Sequence, residues 1–294
     1  MFILKVCIIG LDALDHDIVE SLDLKNLKQI EYGKVDLLLK KNEEAITPIL
    51  WCNFITGETP DVHGIKSFLK WENPLIEKIV SSIPYSVIGG MRRNQLASVL
   101  RKLGFKKRGI SSMRQDIKCN TLFDYVNDSI AISIPSFNED EVNEVLRRML
   151  VEAPAFRVKS LAWKAFQNRK QRLFNALNKE WSLLMTHFYI LDVIQHLYFY
   201  DTKYIQSVYK KIDSMIKEIK EKVSNDLLFL IISDHGQKRG IHTNYGFYSC
   251  NQKLNLIFPK ITDFVDIICK KLGVPSKTEI DKIKERLQSL GYIS

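Results

Sequence analysis

Leu227-Leu-Phe-Leu-Ile-Ile-Ser-Asp-His-Gly236 is the stretch of sequence that decides the fold class. Its six apolar residues in succession are typical of a strand that is buried on both faces of a parallel sheet. The apolar run ends at Ser233, so Asp234 and His235 follow directly after the strand. The carboxyl ends of parallel strands border the crevice in which α/β proteins bind their ligands. We therefore expect an α/β fold that presents this Asp–His pair to a crevice.

Two more segments of the chain end in side chains of the same kind. The apolar segment from Phe2 to Gly10 is followed by Asp12, and the apolar segment before Leu191 leads into Asp192 and His196. An Asp and a His four residues apart lie on one face of a helix, so both can reach one ion. Carboxylates and imidazoles are common ligands of divalent transition metals. The sequence therefore predicts a metalloenzyme with ligands for two divalent ions.

The strand and helix signals alternate along most of the chain, which predicts βαβ units and a largely parallel sheet. The chain has 294 residues, of which 46% are hydrophobic, and this is enough to fill one α/β core. We expect a single catalytic domain over residues 1–294. Between residues 71 and 118 the strand rhythm is lost and a basic, helical pattern replaces it. We interpret 71–118 as an inserted cap or lid.

The formal net charge of +9 is concentrated in this insert. Residues 91–118 contain nine Lys and Arg residues against the single acidic residue Asp116. Such a run is commonly a solvated face, but it can also attract a polyanion such as a nucleotide, a nucleic-acid end or an acidic membrane surface. Leu96, Val99 and Leu100 interleave with the charges as in an amphipathic surface helix. Phe105 is the only aromatic residue there, which weakens the nucleic-acid interpretation.

The five cysteines are widely spaced, odd in number and without CxxC spacing. This pattern indicates neither a disulfide framework nor a zinc ribbon, and it suits a reducing compartment. The apolar start of the chain is short and is interrupted by Lys5, so it resembles a core strand more than a membrane span or a signal peptide. We expect a cytoplasmic protein.

The motifs taken together resemble the alkaline phosphatase superfamily, in particular its type I phosphodiesterase and nucleotide pyrophosphatase branch. The resemblance covers Phe2 to about Phe258 apart from the basic insert. In chain order the motifs are Asp12, Thr47-Pro-Ile-Leu-Trp51 with Thr56-Gly57, Pro60-Asp-Val-His-Gly-Ile65, Asp192-Val-Ile-Gln-His196 and Ser233-Asp-His-Gly236. It implies an alkaline-phosphatase-like sandwich of three layers, with helices on both faces of a mostly parallel sheet and the basic helical insert attached.

The resemblance also implies a two-metal site with a threonine nucleophile. The implied ligands of one ion are Asp12, Thr47, Asp234 and His235, and those of the other are Asp192, His196 and His242. The ions would be Zn²⁺, with Mn²⁺ or Fe²⁺ fitting similar ligands. The implied reaction is hydrolysis of a small phosphate ester, such as a nucleotide, through a covalent phospho-threonine intermediate at Thr47. His242 is the last His of the chain.

Some of these residues have simpler interpretations. Asp12 and Asp15 can cap a following helix, and Thr47 before Pro48 can be a helix N-cap. We interpret His63 as structural, and we treat His16 and His187 as ordinary residues; Trp51 and Asn53 are expected to pack.

One departure from the family pattern leaves more than one substrate class compatible with the sequence. Relatives place an Asn shortly after the His-Gly-Ile turn to hold a phosphate oxygen, whereas this chain has Lys66 there. Either Lys66 or an arginine of the insert could substitute for that Asn. Phosphomonoester hydrolysis on the same site is therefore an alternative to phosphodiester hydrolysis. A catalytically silent relative that binds an acidic partner or membrane through its insert is another, although all seven ligand positions are retained. No Cys or Ser lies in the CxPxR-type context of a sulfatase nucleophile.

Overall fold

The computed structural model describes residues 5–41, 43–67, 70–71, 73–82, 96, 98–100, 102–104, 107–108, 112–224, 226–275, 279–280, 283 and 286–288. The strands are β1 (Val6–Leu11), β2 (Glu31–Asp36), β3 (Lys70–Trp71), β4 (Lys107–Arg108), β5 (Ser129–Ile132), β6 (Leu183–Phe188), β7 (Leu228–Ser233), β8 (Gln237–Lys238), β9 (Ile241–His242) and β10 (Tyr245–Cys250). The longer helices are α3 (Thr47–Thr56), α5 (Pro74–Ser82), α7 (Glu141–Glu152), α8 (Ala155–Leu177), α9 (Ile190–Leu197), α10 (Thr202–Lys220) and α11 (Phe264–Leu272). The shorter helices are α1 (His16–Ser21), α2 (Lys25–Lys28), α4 (Pro60–His63) and α6 (Leu122–Tyr125), and 3₁₀ turns lie at Arg114–Asp116 and Ile261–Asp263.

The central sheet has the strand order β2-β10-β7-β1-β6-β5 in the described part of the chain. β7, β1, β6 and β5 pair in parallel, whereas β10 is antiparallel to both β7 and β2. The three most buried parallel strands are the apolar segments that precede Asp12, Asp192 and Asp234. The structure thus brings the carboxyl ends of these strands to one edge of the sheet.

Helices cover both faces of the sheet, and each face has its own hydrophobic core. Successive side chains of a strand point to opposite faces. Accordingly Cys7 and Ile9 pack in the core beneath α8, α9 and α10, whereas Val6 and Ile8 pack in the core beneath α3 and α11. This arrangement confirms the predicted α/β sandwich with a mostly parallel sheet and helices on both faces.

Thr47, the candidate nucleophile, is the first residue of helix α3 and not its N-cap residue. Helix α3 has Ile46 as its N-cap residue, and Thr47 is the first helical residue with Pro48 next to it. The hydroxyl of Thr47 is directed to His235 and not to the backbone of its own helix. The N-cap role considered for Thr47 is therefore wrong, because that side chain points into the crevice. The corresponding expectation for Asp15 is confirmed, since its Oδ1 accepts hydrogen bonds from the N–H groups of Asp17 and Ile18.

The basic insert is described only in pieces. They include α5 and the antiparallel pairing of β3 with β4. Most of residues 83–111 lies outside the described residues, so the lid role of 71–118 and the partners expected for 91–118 stay predictions. None of the helices that the structure describes combines the length and the apolar character that a membrane crossing requires.

Candidate metal centre

Three neighbouring strands supply the acidic residues of the candidate site. Asp12 follows β1, Asp192 lies in the first turn of α9 just after β6, and Asp234 follows β7. The backbone N–H of Asp12 donates to the carbonyl of Phe188 over 3.0 Å, which fixes the first two segments side by side. All three aspartates are buried. Three carboxylates collected in the interior repel one another and require positive charge nearby.

His235 is the centre of a first group of contacts. Its Nε2 lies 3.4 Å from Asp12 Oδ1, 3.3 Å from Asp234 Oδ2 and 3.3 Å from Thr47 Oγ1. The ring is fully buried, and Thr47 is only 3% exposed. The helix start thus delivers its hydroxyl to the same point at which two strands deliver carboxylates.

Asp192 is the centre of a second group. Its Oδ1 lies 3.2 Å from His196 Nε2 and 3.4 Å from His242 Nε2, and these two nitrogens are 3.1 Å apart. His242 also stacks on His235, with ring centroids 3.8 Å apart and an angle of 17° between the planes. The structure therefore brings all seven residues predicted as metal ligands into one connected cluster.

The cluster divides somewhat differently from the prediction. Side-chain atoms that converge closely enough for one ion belong to Asp192, His196 and His242 in one set, and to Asp12, Asp192 and His235 in the other. The first set has the same members as the predicted second ion site. In the other set Asp192 stands in place of Asp234, so Asp192 belongs to both sets. A carboxylate in this position can face two cations at once.

The hydrogen bonds of the imidazoles show that the cluster fits divalent cations. Nδ1 of His242 lies 3.0 Å from the carbonyl oxygen of Ala45, and Nδ1 of His235 lies 3.1 Å from that of Gly236. A carbonyl only accepts, so both Nδ1 atoms carry the proton, and in the neutral rings each Nε2 presents a lone pair. Those lone pairs face carboxylate oxygens. Both oxygens of Asp234 are also buried without a hydrogen-bond donor among the described residues. A bound cation satisfies these atoms together.

The pKa values show how strongly the metal-free cluster favours protons. Burial raises the pKa of Asp234 to about 8, and the negative charge of Asp192 adds to the shift. Burial also raises the pKa of Asp12 well above its usual value, with Asp234 contributing further. Burial alone would lower the pKa of His242, but Asp192 outweighs it and brings the pKa to about 9. Burial lowers the pKa of His235 to about 3, so this ring is neutral. In the metal-free protein, protons on Asp234 and His242 thus offset part of the negative charge that a cation would offset.

A short hairpin delivers His242 and also a residue that the sequence analysis missed. β8 and β9 pair so that Gln237 lies opposite His242. The amide nitrogen of Gln237 lies 3.0 Å from Nδ1 of His196, and a half-turn of the amide would place its oxygen there; the side chain is 2% exposed. When this amide presents its oxygen to Nδ1–H, His196 has its Nε2 lone pair free for an ion. Nothing in the local sequence around Gln237 indicates this contact, since it depends on the register of the hairpin.

The remaining candidates lie as follows. Lys66 is 8% exposed, and its Nζ is 3.5 Å from Asp61 Oδ1. Its role in substrate binding stays a prediction. His63 bonds to Asn53 over 2.7 Å and accepts from the N–H of Ile65 over 3.0 Å, in keeping with a structural role. His187, treated above as ordinary, instead lies 3.2 Å from Asp12.

Comparison with known proteins identifies the family. The family model described as "Type I phosphodiesterase / nucleotide pyrophosphatase" matches residues 6–257, which is most of the chain. The chain belongs to the type I phosphodiesterase/nucleotide pyrophosphatase family. The predicted resemblance is thereby confirmed. Membership of this family makes the protein a phosphate-ester hydrolase in the broad sense.

Individual relatives of this family member are distant or match only in part. GPI ethanolamine phosphate transferase 2 of Kluyveromyces lactis is 36% identical over 58 residues, which is 20% of this chain and 7% of that protein. The structure of the PH0037 protein from Pyrococcus horikoshii is similar with a TM-score of 0.53 and 12% identity, covering 93% of this chain and 98% of that one. The 2-O GAG sulfatase BT1596 is similar with a TM-score of 0.55 and 9% identity, covering 95% of this chain and 72% of that one. At these identities the two structures show a shared fold.

Proposed function

We propose that this protein is a metal-dependent phosphodiesterase of the nucleotide pyrophosphatase type, with Thr47 as its nucleophile. The substrate is a small phosphate ester, and a nucleotide is the first candidate. Membership of the phosphodiesterase family supports the reaction class. The finer assignment rests on one observation, namely the 3.3 Å between Thr47 Oγ1 and His235 Nε2 inside the cluster of carboxylates and imidazoles.

The proposed cofactors are two divalent ions, with Zn²⁺ favoured and Mn²⁺ or Fe²⁺ as options. Asp192, His196 and His242 would hold one ion, and Asp12, Asp234 and His235 with Thr47 would hold the other, with Asp192 within reach of both. Cations bound there lower the pKa of a hydroxyl in contact with them and offset the negative charge of a phosphate group.

Thr47 is suited to attack because of where its helix starts. The amino end of α3 carries the positive end of the helix dipole, which favours a phosphate. The burial of Thr47 keeps bulk water from the hydroxyl. In the proposed reaction the deprotonated Oγ1 attacks phosphorus, and the bond from phosphorus to the departing alkoxide breaks. The departing alkoxide takes up the proton that Thr47 lost. Water then cleaves the bond between phosphorus and Oγ1: its oxygen bonds to phosphorus and one of its protons passes to Oγ1, which releases a phosphomonoester and restores Thr47.

Lys66 is the proposed partner of a substrate oxygen in place of the family's Asn. Its ammonium is 3.5 Å from Asp61, so the pair carries a lower net charge than a lone lysine does. A diester has one negative charge at phosphorus and a monoester has up to two. A partly neutralised lysine therefore suits the diester better than the monoester.

Hydrolysis of bis-p-nitrophenyl phosphate and of p-nitrophenyl phosphate tests the proposal, with Zn²⁺ or Mn²⁺ restored after chelation. We expect faster cleavage of the diester, no activity in chelator, and a loss of at least about 100-fold in Thr47→Val, which removes the hydroxyl but keeps the shape. Thr202→Val is the matched control, because Thr202 is likewise the first residue of a helix but is exposed. Mass spectrometry of acid-quenched protein would locate a phosphate on Thr47.

Other outcomes of this experiment would change the proposal in specific ways. Faster cleavage of the monoester would replace the proposal with a phosphomonoesterase. Thr47→Val with wild-type turnover would remove the nucleophile assignment. If two ions bind and neither ester is cleaved, the silent-relative alternative gains, and binding of acidic vesicles or nucleic acid then becomes the decisive measurement.

A further inference from the structure

A buried histidine outside the predicted ligand set contacts one of its aspartates. His187 lies near the end of β6 and is fully buried. Its Nε2 is 3.2 Å from Asp12 Oδ2. The contact is long-range in sequence and follows from the pairing of β6 with β1, in which His187 lies opposite Gly10.

This contact distinguishes the two oxygens of the Asp12 carboxylate. Oδ2 faces His187, whereas Oδ1 is directed to His235 Nε2 at 3.4 Å. Oδ1 is buried and has no hydrogen-bond donor in the described part of the chain. Oδ1, which does not contact His187, is thus the oxygen that faces the candidate metal position.

The contact with Asp12 determines which ring nitrogen of His187 carries a proton. A neutral imidazole has one N–H group, and a carboxylate oxygen only accepts. The tautomer that satisfies the contact carries its proton on Nε2 and donates to Asp12.

The ring is also held in place from the side. Trp51 meets it edge to face, with ring centroids 4.8 Å apart and an angle of 76° between the planes. The indole reaches this position because Gly10 lacks a side chain: a Cβ there would lie 2.7 Å from the nearest Trp51 ring carbon. A fixed ring on a buried strand can impose one orientation on the carboxylate it contacts.

We propose that His187 is a positioning residue that donates to Asp12 Oδ2 and thereby presents Oδ1 as the metal ligand. The inference rests on the proposed two-metal function, since it assigns the residue that orients one ligand of that site. Hydrogen-bond donors behind metal ligands are worth about 10–100-fold in metal affinity when they are removed. Their loss here would also leave Oδ2 buried without a partner.

The test measures Zn²⁺ affinity by competition with a chromophoric chelator for wild type, His187→Leu and His187→Gln. Leu removes the donor, whereas the Gln amide can place an N–H near the position of Nε2. We expect about 10–100-fold weaker binding of one ion in His187→Leu, with the affinity for the other changed less, and substantial recovery in His187→Gln. His63→Gln is the control, because His63 is equally buried but contacts Asn53. It should lower thermal stability without changing Zn²⁺ affinity.

The outcomes separate this inference from the proposed function. Wild-type Zn²⁺ affinity in His187→Leu would overturn the positioning role. Equal losses of Zn²⁺ affinity in the Leu and Gln variants, in proportion to their losses of thermal stability, would overturn it as well. Absence of Zn²⁺ binding by the wild-type protein would instead contradict the proposed function itself.

Discussion

His242 donates its Nδ1–H to the carbonyl oxygen of Ala45 over 3.0 Å, two residues before Thr47. The bond ties the hairpin of β8 and β9 to the segment that enters the nucleophile helix. It also fixes the ring so that Nε2 faces Asp192 at 3.4 Å. One hydrogen bond thus links the position of a candidate ligand to that of the candidate nucleophile.

The variant His242→Asn tests the ligand role separately from this link. Asn retains an N–H near the position of Nδ1 but has no atom at the position of Nε2. We expect the bound metal to fall from two ions to one and phosphodiester turnover to fall at least about 100-fold, since a direct ligand is lost. Elemental analysis of the purified variant and the diester assay check this. His16→Asn is the control, because His16 contacts Asp17 and Tyr32 outside the cluster. Two retained ions in His242→Asn would exclude His242 as a ligand.

The pKa shifts predict that the stabilisation by metal increases with pH. Without metal, the folded-state pKa of Asp234 is about 8, above its ordinary value of 3.8, and that of His242 is about 9, above 6.5. Both groups hold a proton more tightly when the protein is folded than when it is unfolded. Their contribution to the stability of the metal-free protein is therefore lost as pH rises, from about 4 to 8 for Asp234 and from about 6.5 to 9 for His242. A cation replaces these protons, so it binds more tightly as pH rises.

Thermal unfolding with and without Zn²⁺ between pH 6 and pH 9 measures this effect. The difference in Tm should widen across that range, by about 2–4 °C for each kcal/mol in a domain of 150–250 residues. Titration calorimetry at pH 7 in two buffers of different ionisation enthalpy should show protons released on metal binding. A Tm difference that is constant with pH, without proton release, would contradict the pKa assignment.

Gln237 is expected to strengthen the binding of the ion proposed for Asp192, His196 and His242, because it orients the His196 ring. Gln237→Leu removes the polar contact at 3.0 Å with Nδ1 of His196 and should weaken one Zn²⁺ by about 10–100-fold. Gln237→Glu can only present an oxygen to Nδ1–H of His196, so it should bind Zn²⁺ more tightly than the Leu variant does. Lys238→Leu is the control, since Lys238 follows directly in the hairpin and pairs with Asp17 outside the cluster. Equal Zn²⁺ affinities in the Leu and Glu variants would show that the amide does not orient His196.

The parts of the site that could be predicted from the sequence are those with a local signal. Asp12 and Asp234 each follow an apolar strand, and a parallel sheet collects such strand ends at one edge. The roles of His187 and Gln237 had no local signal, because their contacts come from pairing partners distant along the chain or from the register of a hairpin. The helix start at Thr47 was ambiguous, since a Thr before a Pro suits both a cap and a nucleophile.

The fold shows the same division between local and long-range information. β7 could be predicted because it is buried on both faces and therefore apolar throughout. β2 (Glu31–Asp36) mixes polar residues with Tyr32 and Val35. Its first residues include Gly33 and are only partly buried, and they are held by pairing with β10. A partly polar strand that is held by pairing with its neighbour contains no apolar run, so its start cannot be predicted from the sequence.

Two arginines that share one carboxylate should differ strongly in their contribution to stability. Asp140 Oδ2 lies 3.0 Å from Arg169 Nε, and Asp140 Oδ1 lies 2.8 Å from Arg172 Nη1. The Arg169 side chain is 2% exposed and that of Arg172 is 41% exposed. Asp140 keeps Arg172 when Arg169 is removed, but truncating a large buried side chain and removing its donor groups typically costs about 3–5 kcal/mol. An exposed pair contributes only about 0–1 kcal/mol.

We therefore expect Arg169→Ala to lower the free energy of unfolding by about 3–5 kcal/mol and Arg172→Ala by less than about 1 kcal/mol. Urea titration followed by circular dichroism measures both, and each variant is the other's control because they lie on the same helix and contact the same carboxylate. Arg169 also donates to Asn143, which in turn donates to Glu139 over 2.8 Å. Its removal thus takes the Arg169 donor from the buried Asn143 oxygen. Losses of similar size in the two variants would contradict the larger contribution of the buried arginine.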